Sequence, residues 1–232
     1  MNLAVVGHVE WVEFVRVEHV PQPGEIVHAV ETWEEPAGGG AVAAVQLANL
    51  NGAVHLFTSL GDDEHGRRAR DELTSRGVTV HAVTAGEPQR RAFTYVDADG
   101  ERTITVLGRK QVPAGDDASL PWEELGRCDA VYFVSGDVAA LRKARRSRVL
   151  VATARELATL RRAAERLDVL VGSGEDASER VEPGELEPGP RTVVTTSARS
   201  GAGSGPAARF VRRRCPARSR TRTAAATASP PA

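Results

Sequence analysis

The sequence predicts an α/β fold built on a parallel sheet, and two stretches carry that expectation. Over residues 130–171 apolar, β-branched runs alternate with helical segments: strand 130–134, helix 138–146, strand 149–152, helix 154–167 and strand 169–171. A β-α-β-α-β rhythm of this kind folds as parallel strands with helices on both faces, because each crossover must pass over one face of the sheet. The second stretch, residues 38–66, joins a glycine run, a helix, a strand and an acidic turn without a break. In such sheets ligands sit beyond the carboxyl ends of the strands.

Each element has its own signal. Residues 3–6 read as a short buried strand ending at Gly7-His8, followed by extended, partly alternating residues 9–20. Pro21, Pro23 and Gly24 interrupt that alternation, which resumes over 25–33, so these segments read as outlying strands that cover something. Gly38, Gly39 and Gly40 remove every Cβ where backbone must approach a ligand or a packed helix closely. Residues 41–50 form a helix whose small face, Ala41, Ala44, Val45 and Ala48, suits tight packing on a sheet. A strand follows over 53–60, and Gly61-Asp62-Asp63-Glu64 supplies a turn and an acidic helix start, where carboxylates meet the positive end of the helix dipole. A helix over 64–76 stops at Gly77 and a strand occupies 78–83. Runs 91–96 and 102–107 flank Asp97-Ala98-Asp99-Gly100, a strong hairpin signal.

Composition excludes several classes. A chain of 232 residues with 41% hydrophobic content buries a real core, and one large domain is expected. No run approaches 18 consecutive apolar residues, and Met1-Asn2-Leu3 leads into a strand with no basic region or cleavage site, so a cytoplasmic, soluble protein without a membrane partner is expected. Cys128 and Cys215 are too few and too far apart for a disulfide framework or a metal knuckle, and Cys128, beside an apolar run, reads as buried filler. The net charge of -1 hides an asymmetry: from Arg191 onward there are nine arginines and no acid. The basic run 142–148 has no interleaved aromatic and reads as a solvated helix end, so nucleic acid is not an expected partner there.

Two sharp readings compete for the glycine run. Gly38-Gly39-Gly40-Ala41-Val42-Ala43 fits G-x-G-x-x-A with Asp62 at the end of the next strand, as a dinucleotide site requires. That motif also needs a strand running directly into the first glycine, and Glu34-Glu35-Pro36 argue against one.

The other reading is a resemblance. V-V-G-H-V, P-Q-P-G-E, A-G-G-G-A-V-A-A-V-Q-L-A-N-L, L-G-D-D-E-H-G and R-G-V, in this order and spacing, resemble the amino-terminal part of the ribokinase-type (PfkB) carbohydrate kinases. The similarity covers about residues 3–196. It implies a ribokinase-like three-layer α/β fold with a mainly parallel sheet, and a small β lid made from about residues 12–33 and 91–107. It implies an ATP-dependent phosphotransferase acting on a hydroxyl of a sugar or nucleoside, with Mg2+, and a possible homodimer through the lid. Gly38, Gly39 and Gly40 fall where the family sets backbone amides against sugar hydroxyls. Glu10 and Val12 stand where the family has an asparagine and an aspartate for those hydroxyls, and Val42 stands for another asparagine. Residues 173–176 occupy the place of the family's N-x-x-E motif, making Asp176 the candidate for ordering magnesium, and Thr196 ends the strand that leads to the nucleotide loop.

The family's Asp-x-x-Gly-x-Gly-Asp helix start, whose last aspartate takes the proton from the attacking hydroxyl, is absent from the printed register. Residues 197–232 form a basic low-complexity tail of Ser, Gly, Ala, Arg and Pro, which is expected to be disordered or out of frame. Read one nucleotide back, codons for residues 223–232 can spell D-G-C-G-D-S-F-A-A-G, and those before them A-A-P-L-P-G-P-V-E-D-A-D. On this reading the frame slips just after Thr196, the catalytic part is truncated, and Thr227 stands where the catalytic aspartate belongs. A threonine hydroxyl is no base near neutral pH, so the printed chain is expected to be inactive. A non-catalytic sugar- or partner-binding remnant, and a nucleic-acid binder acting through the arginine tail, are the readings from other classes.

Overall fold

The computed structural model describes residues 1–182, 184–197 and 209–214, the last as backbone only. Its centre is an eight-stranded sheet. In chain order the strands are β1 (Leu3–Val6), β4 (Val54–Gly61), β5 (Val78–Ala85), β8 (Ala130–Phe133), β9 (Val149–Thr153), β10 (Val169–Ser173), β11 (Thr192–Ser197) and β12 (Arg209–Arg214). Their spatial order is β12-β11-β10-β9-β8-β1-β4-β5, and every pair is parallel except β11 with β12. The expected parallel sheet is therefore present, with β1 between β8 and β4.

Period-two alternation sends successive residues of β1 into different cores. Leu3 and Val5 join Ala41, Ala44, Ala48, Ala69 and Leu73 under helices α1 (Gly38–Asn51) and α2 (Glu64–Ser75). Ala4 and Val6 join Leu141, Leu157 and Leu160 under α3 (Val138–Ala144) and α4 (Leu157–Ala163). Of the small face expected on α1, Ala41, Ala44 and Ala48 are buried and Val45 is half-buried. The helix expected over 154–167 is shorter: Ala154–Glu156 is a 3-10 turn, and α4 ends at Ala164 in the left-handed region (φ 52). Asp63 caps α2 by accepting from the Gly66 amide at 2.9 Å, which is the role its place in the acidic turn implied.

A second sheet of four strands, in the order β3-β2-β6-β7, comprises β2 (Glu10–Arg16), β3 (Glu31–Ala37), β6 (Arg91–Val96) and β7 (Arg102–Leu107). The hairpin matches its expected bounds, and Asp97 Oδ1 holds its tip by accepting from the amides of Asp99 and Glu101. The amino-terminal strands differ from expectation. Residues 17–30 form no strand: Val17 is still buried, but beyond it the alternation has no face to bury, with Ile26 88% and Val30 72% exposed. β3 instead runs through Pro36 to Ala37, directly into Gly38. Proline is tolerated there because β3 is an edge strand. The premise that no strand enters the glycines is thus corrected, but the strand that enters pairs with β2 in the small sheet and is no part of a parallel βαβ unit.

Most of the tail, Thr227 included, lies outside the described residues. Within it, Arg209–Arg214 forms the antiparallel edge strand β12.

Candidate active site

The carboxyl ends of β1, β8, β9, β10 and β11 open on a crevice of about 290 Å³. His8, Gly39, Tyr132, Thr153, Gly172 and Thr196 line it together with the ion pairs Lys110–Glu156 and Arg155–Glu179, each at 2.5 Å. Its contents follow from topology: a residue just past the end of a parallel strand must face the edge where the crossovers leave.

Backbone approaches backbone closely at one wall. A Cβ on Gly40 would lie 2.7 Å from both the Gly7 carbonyl carbon and the His8 oxygen, and the Gly40 amide donates to that oxygen at 3.0 Å. A Cβ on Gly39 would meet Val134 Cγ1 at 2.6 Å, and Gly38 holds φ +81, which glycine adopts at no steric cost. The glycine run thus brings the start of α1 against the end of β1.

His8 sits between these elements. Its Nε2 accepts from the Gly39 amide at 3.3 Å, so the ring proton resides on Nδ1, which donates to Ser135 Oγ at 2.9 Å. The same hydroxyl oxygen accepts from the His8 amide. Burial, reinforced by the positive charges of Lys110, Arg90 and Arg155, lowers the His8 pKa to about 3. The imidazole is neutral through the physiological range. An unfolded histidine near 6.5 binds its proton first, so this site contributes stability above pH 6.5 that is lost as pH falls toward 3. Replacing His8→Asn should remove up to ~1.4 kcal/mol per pH unit of that slope, measured as urea stability of both proteins between pH 4 and 7. Parallel profiles would refute the assigned protonation.

The residues singled out from sequence are distributed unevenly. Gly39 and Thr196 line the crevice, and Thr196 Oγ1 donates to the Gly172 oxygen at 3.4 Å. Glu10 lies at the start of β2 beside Gly38, its Oε1 2.9 Å from Arg90 Nε and 3.6 Å from His8 Nε2. Gly38 and Gly40 support the wall. Asp176 caps the turn Ala177–Glu179, accepting from the amide and hydroxyl of Ser178, which hold its carboxyl below the usual range. Its other oxygen is 3.4 Å from Arg155. The carboxylate that reaches the crevice from this turn is Glu179, 8% exposed, which also accepts from the Ser173 amide at 2.8 Å.

Sequence reasoning passed over His8, Lys110, Arg155, Glu156 and Glu179. His8, Arg155 and Glu156 follow the ends of β1 and β9, so listing residues immediately after each parallel strand would have found them. Lys110 and Glu179 arrive from longer connections and carry no such local signal.

Residues 1–165 match the profile of the pfkB family carbohydrate kinases. An ATP-dependent ribose-1-phosphate kinase of Halopiger xanaduensis is 34% identical over 108 residues, 46% of this chain and 36% of that protein. A ribokinase of Dictyostelium discoideum is 28% identical over 109 residues, 46% of this chain and 34% of its own length. The matched stretches span about a third of these relatives. The ribokinase structure from Thermotoga maritima superposes with a TM-score of 0.66 at 19% identity, covering 85% of this chain and 72% of that one. The Arabidopsis thaliana ribokinase solved with ribose and ATP does so with a TM-score of 0.60 at 18% identity, covering 90% and 78%. At these identities the structures establish a ribokinase-like fold.

Proposed function

We propose, from the premise that this chain belongs to the pfkB family of carbohydrate kinases, that its crevice is the site of ATP-dependent phosphoryl transfer to a hydroxyl of a sugar or nucleoside in the cytoplasm. The observation that carries this reading is the convergence, on one crevice beyond the parallel strands, of the glycine start of α1 and a ring of paired ions. Paired ions offer donors and acceptors at little net charge, which suits a polyol. Glu10, Gly38, Gly39 and Gly40 form the sugar wall in this reading. The Gly39 amide, held only at 3.3 Å by His8, is the donor most easily handed to a hydroxyl. Thr196 marks the nucleotide side.

Asp176 and Glu179 supply oxygen donors at the same edge, the ligand type magnesium takes, and they would hold it through waters and phosphate oxygens. What magnesium supplies when bound is neutralisation of the charge on the β- and γ-phosphates. The lid offers a pairing surface: Ile104 and Val106 on edge strand β7 are 51% and 43% exposed, which supports a homodimer through this sheet. Among the described residues no helix is long and apolar enough to cross a membrane.

With Thr227 in place of an aspartate, the printed chain on this reading binds sugar without turning it over. Isothermal titration with ribose, fructose and ribose 1-phosphate, beside a coupled ATPase assay, tests it. Saturable binding of one of them, weakened roughly tenfold by Glu10→Gln as one charged hydrogen bond is lost, is expected. Binding that ignores Glu10→Gln would remove Glu10 from the wall, and no binding at all would remove the sugar reading.

A further inference from the structure

Away from the crevice, three metal-ligating side chains meet on the face of the sheet that α3 and α4 cover. His55 is the second residue of β4, His81 lies on the neighbouring β5, and Glu124 is on the 3-10 segment Trp122–Arg127 that precedes β8. β4 and β5 are parallel and in register with Phe57 opposite His81, so His55 and His81 are diagonal neighbours on one face. Phe57 packs against both the His81 ring and Trp122, which fixes the segment carrying Glu124 over the two histidines.

His55 Nδ1 is 3.0 Å from His81 Nε2, and Glu124 Oε2 lies 4.0 and 3.8 Å from these nitrogens. We propose that His55, His81 and Glu124 form a binding site for a divalent transition metal of the zinc type. The three separations define a triangle whose centre is about 2.1 Å from each atom, within the ~2.0–2.2 Å at which zinc takes imidazole nitrogen and carboxylate oxygen. Among the described residues no other group of three histidine, cysteine or acidic side chains meets in this way.

Without metal the two facing nitrogens share one N–H···N hydrogen bond, the ring planes being 9° apart. Binding requires that proton to move to the far nitrogen of its own ring, leaving both facing lone pairs bare, so no proton is lost from a neutral pair. The nitrogens then part by a few tenths of an ångström and the rings tilt toward the ion. Glu124 contributes its ionised oxygen. The side chains are 33%, 19% and 39% exposed, so water completes the coordination from the solvent side. The site lies toward the amino ends of β4 and β5, at the edge opposite the crevice, and would clasp edge strand β5 to the segment entering β8 without taking part in phosphoryl transfer.

Equilibrium dialysis of the full chain against Zn2+, followed by elemental analysis, reads the site directly. One zinc per chain is expected, lost in His81→Ala and bound at least ~10-fold more weakly in His55→Gln and Glu124→Gln. Zinc should also raise the thermal midpoint of the parent chain, because it binds the folded state alone, and should leave that of His81→Ala unchanged. Circular dichroism establishes that each variant is folded. A Co2+-loaded parent should show the visible absorption of a four-coordinate ion, absent in His81→Ala. No uptake by the parent, or uptake that survives all three substitutions, would overturn the assignment.

Discussion

Gly40→Ala should destabilise the chain by about 3 kcal/mol or more, whereas Gly39→Ala, one residue away, should cost about 1 kcal/mol. The two added methyl groups meet different neighbours. At position 40 the new Cβ would sit 2.7 Å from the Gly7 carbonyl carbon, 2.7 Å from the His8 oxygen and 2.9 Å from Gly7 Cα, all backbone. No rotamer relieves that, so either the end of β1 or the first turn of α1 must move. The move would stretch the bond from the Gly40 amide to the His8 oxygen and leave a backbone pair unmade at the core edge. At position 39 the nearest atom is Val134 Cγ1, a side-chain methyl that can yield, with His8 Cε1 next at 3.4 Å. Combining Val134→Ala with Gly39→Ala should therefore recover part of the cost beyond additivity, and combining it with Gly40→Ala should recover none. Urea unfolding of the parent and these variants measures each term. Equal costs at the two positions would show that the backbone contact between β1 and α1 does not set the geometry of the site.

How far the sequence could be read follows from which interactions are local. β8 to β10 and their connecting helices were legible because each strand is an apolar run and each crossover a helical one, and parallel pairing follows from that order alone. The hairpin 91–107 was legible for the same reason, since Asp97 organises its tip from within the turn. β3 was not. Its residues Glu31, Thr32, Trp33, Glu34, Glu35 and Pro36 are mostly polar or lack an amide, and they form a strand only because β2 presents a partner edge along their whole length. The glycine wall of the candidate site was visible as a gap in side chains. Its charged ring was not, because Arg155 finds Glu179 and Lys110 finds Glu156 across connections that no periodicity describes. Asp176 illustrates the limit: its place after β10 drew attention to this turn, but the turn aims Glu179 into the crevice and leaves Asp176 as its cap.

The largest effect is expected from the reading register after Thr196. A catalytic base typically contributes ~10²–10⁴-fold in rate, and oriented amides at a helix start a further ~10²–10³-fold. In the printed register position 227 is threonine, whose hydroxyl cannot take a proton near neutral pH, and no Asp-x-x-Gly-x-Gly-Asp surrounds it. The walls of the crevice, by contrast, come from residues 8–196 and are already assembled. The printed chain should therefore bind sugar yet show no measurable ATP-dependent phosphorylation. A chain translated from codon 197 in the register one nucleotide back, continued through whatever the gene encodes beyond codon 232, should gain at least ~10⁴-fold in turnover, by the product of the two terms. Replacing the aspartate that this register supplies at position 227 by asparagine should then abolish turnover and leave sugar affinity nearly unchanged, since that carboxylate acts in the transition state. Nucleotide sequencing across codons 190 to 232 comes first, because codons that do not spell the motif would end the proposal at once. Turnover by the printed chain on any sugar, or full activity after the asparagine change, would place the base elsewhere in the crevice, and the crevice carboxylates Glu156 and Glu179 would then be the residues to test.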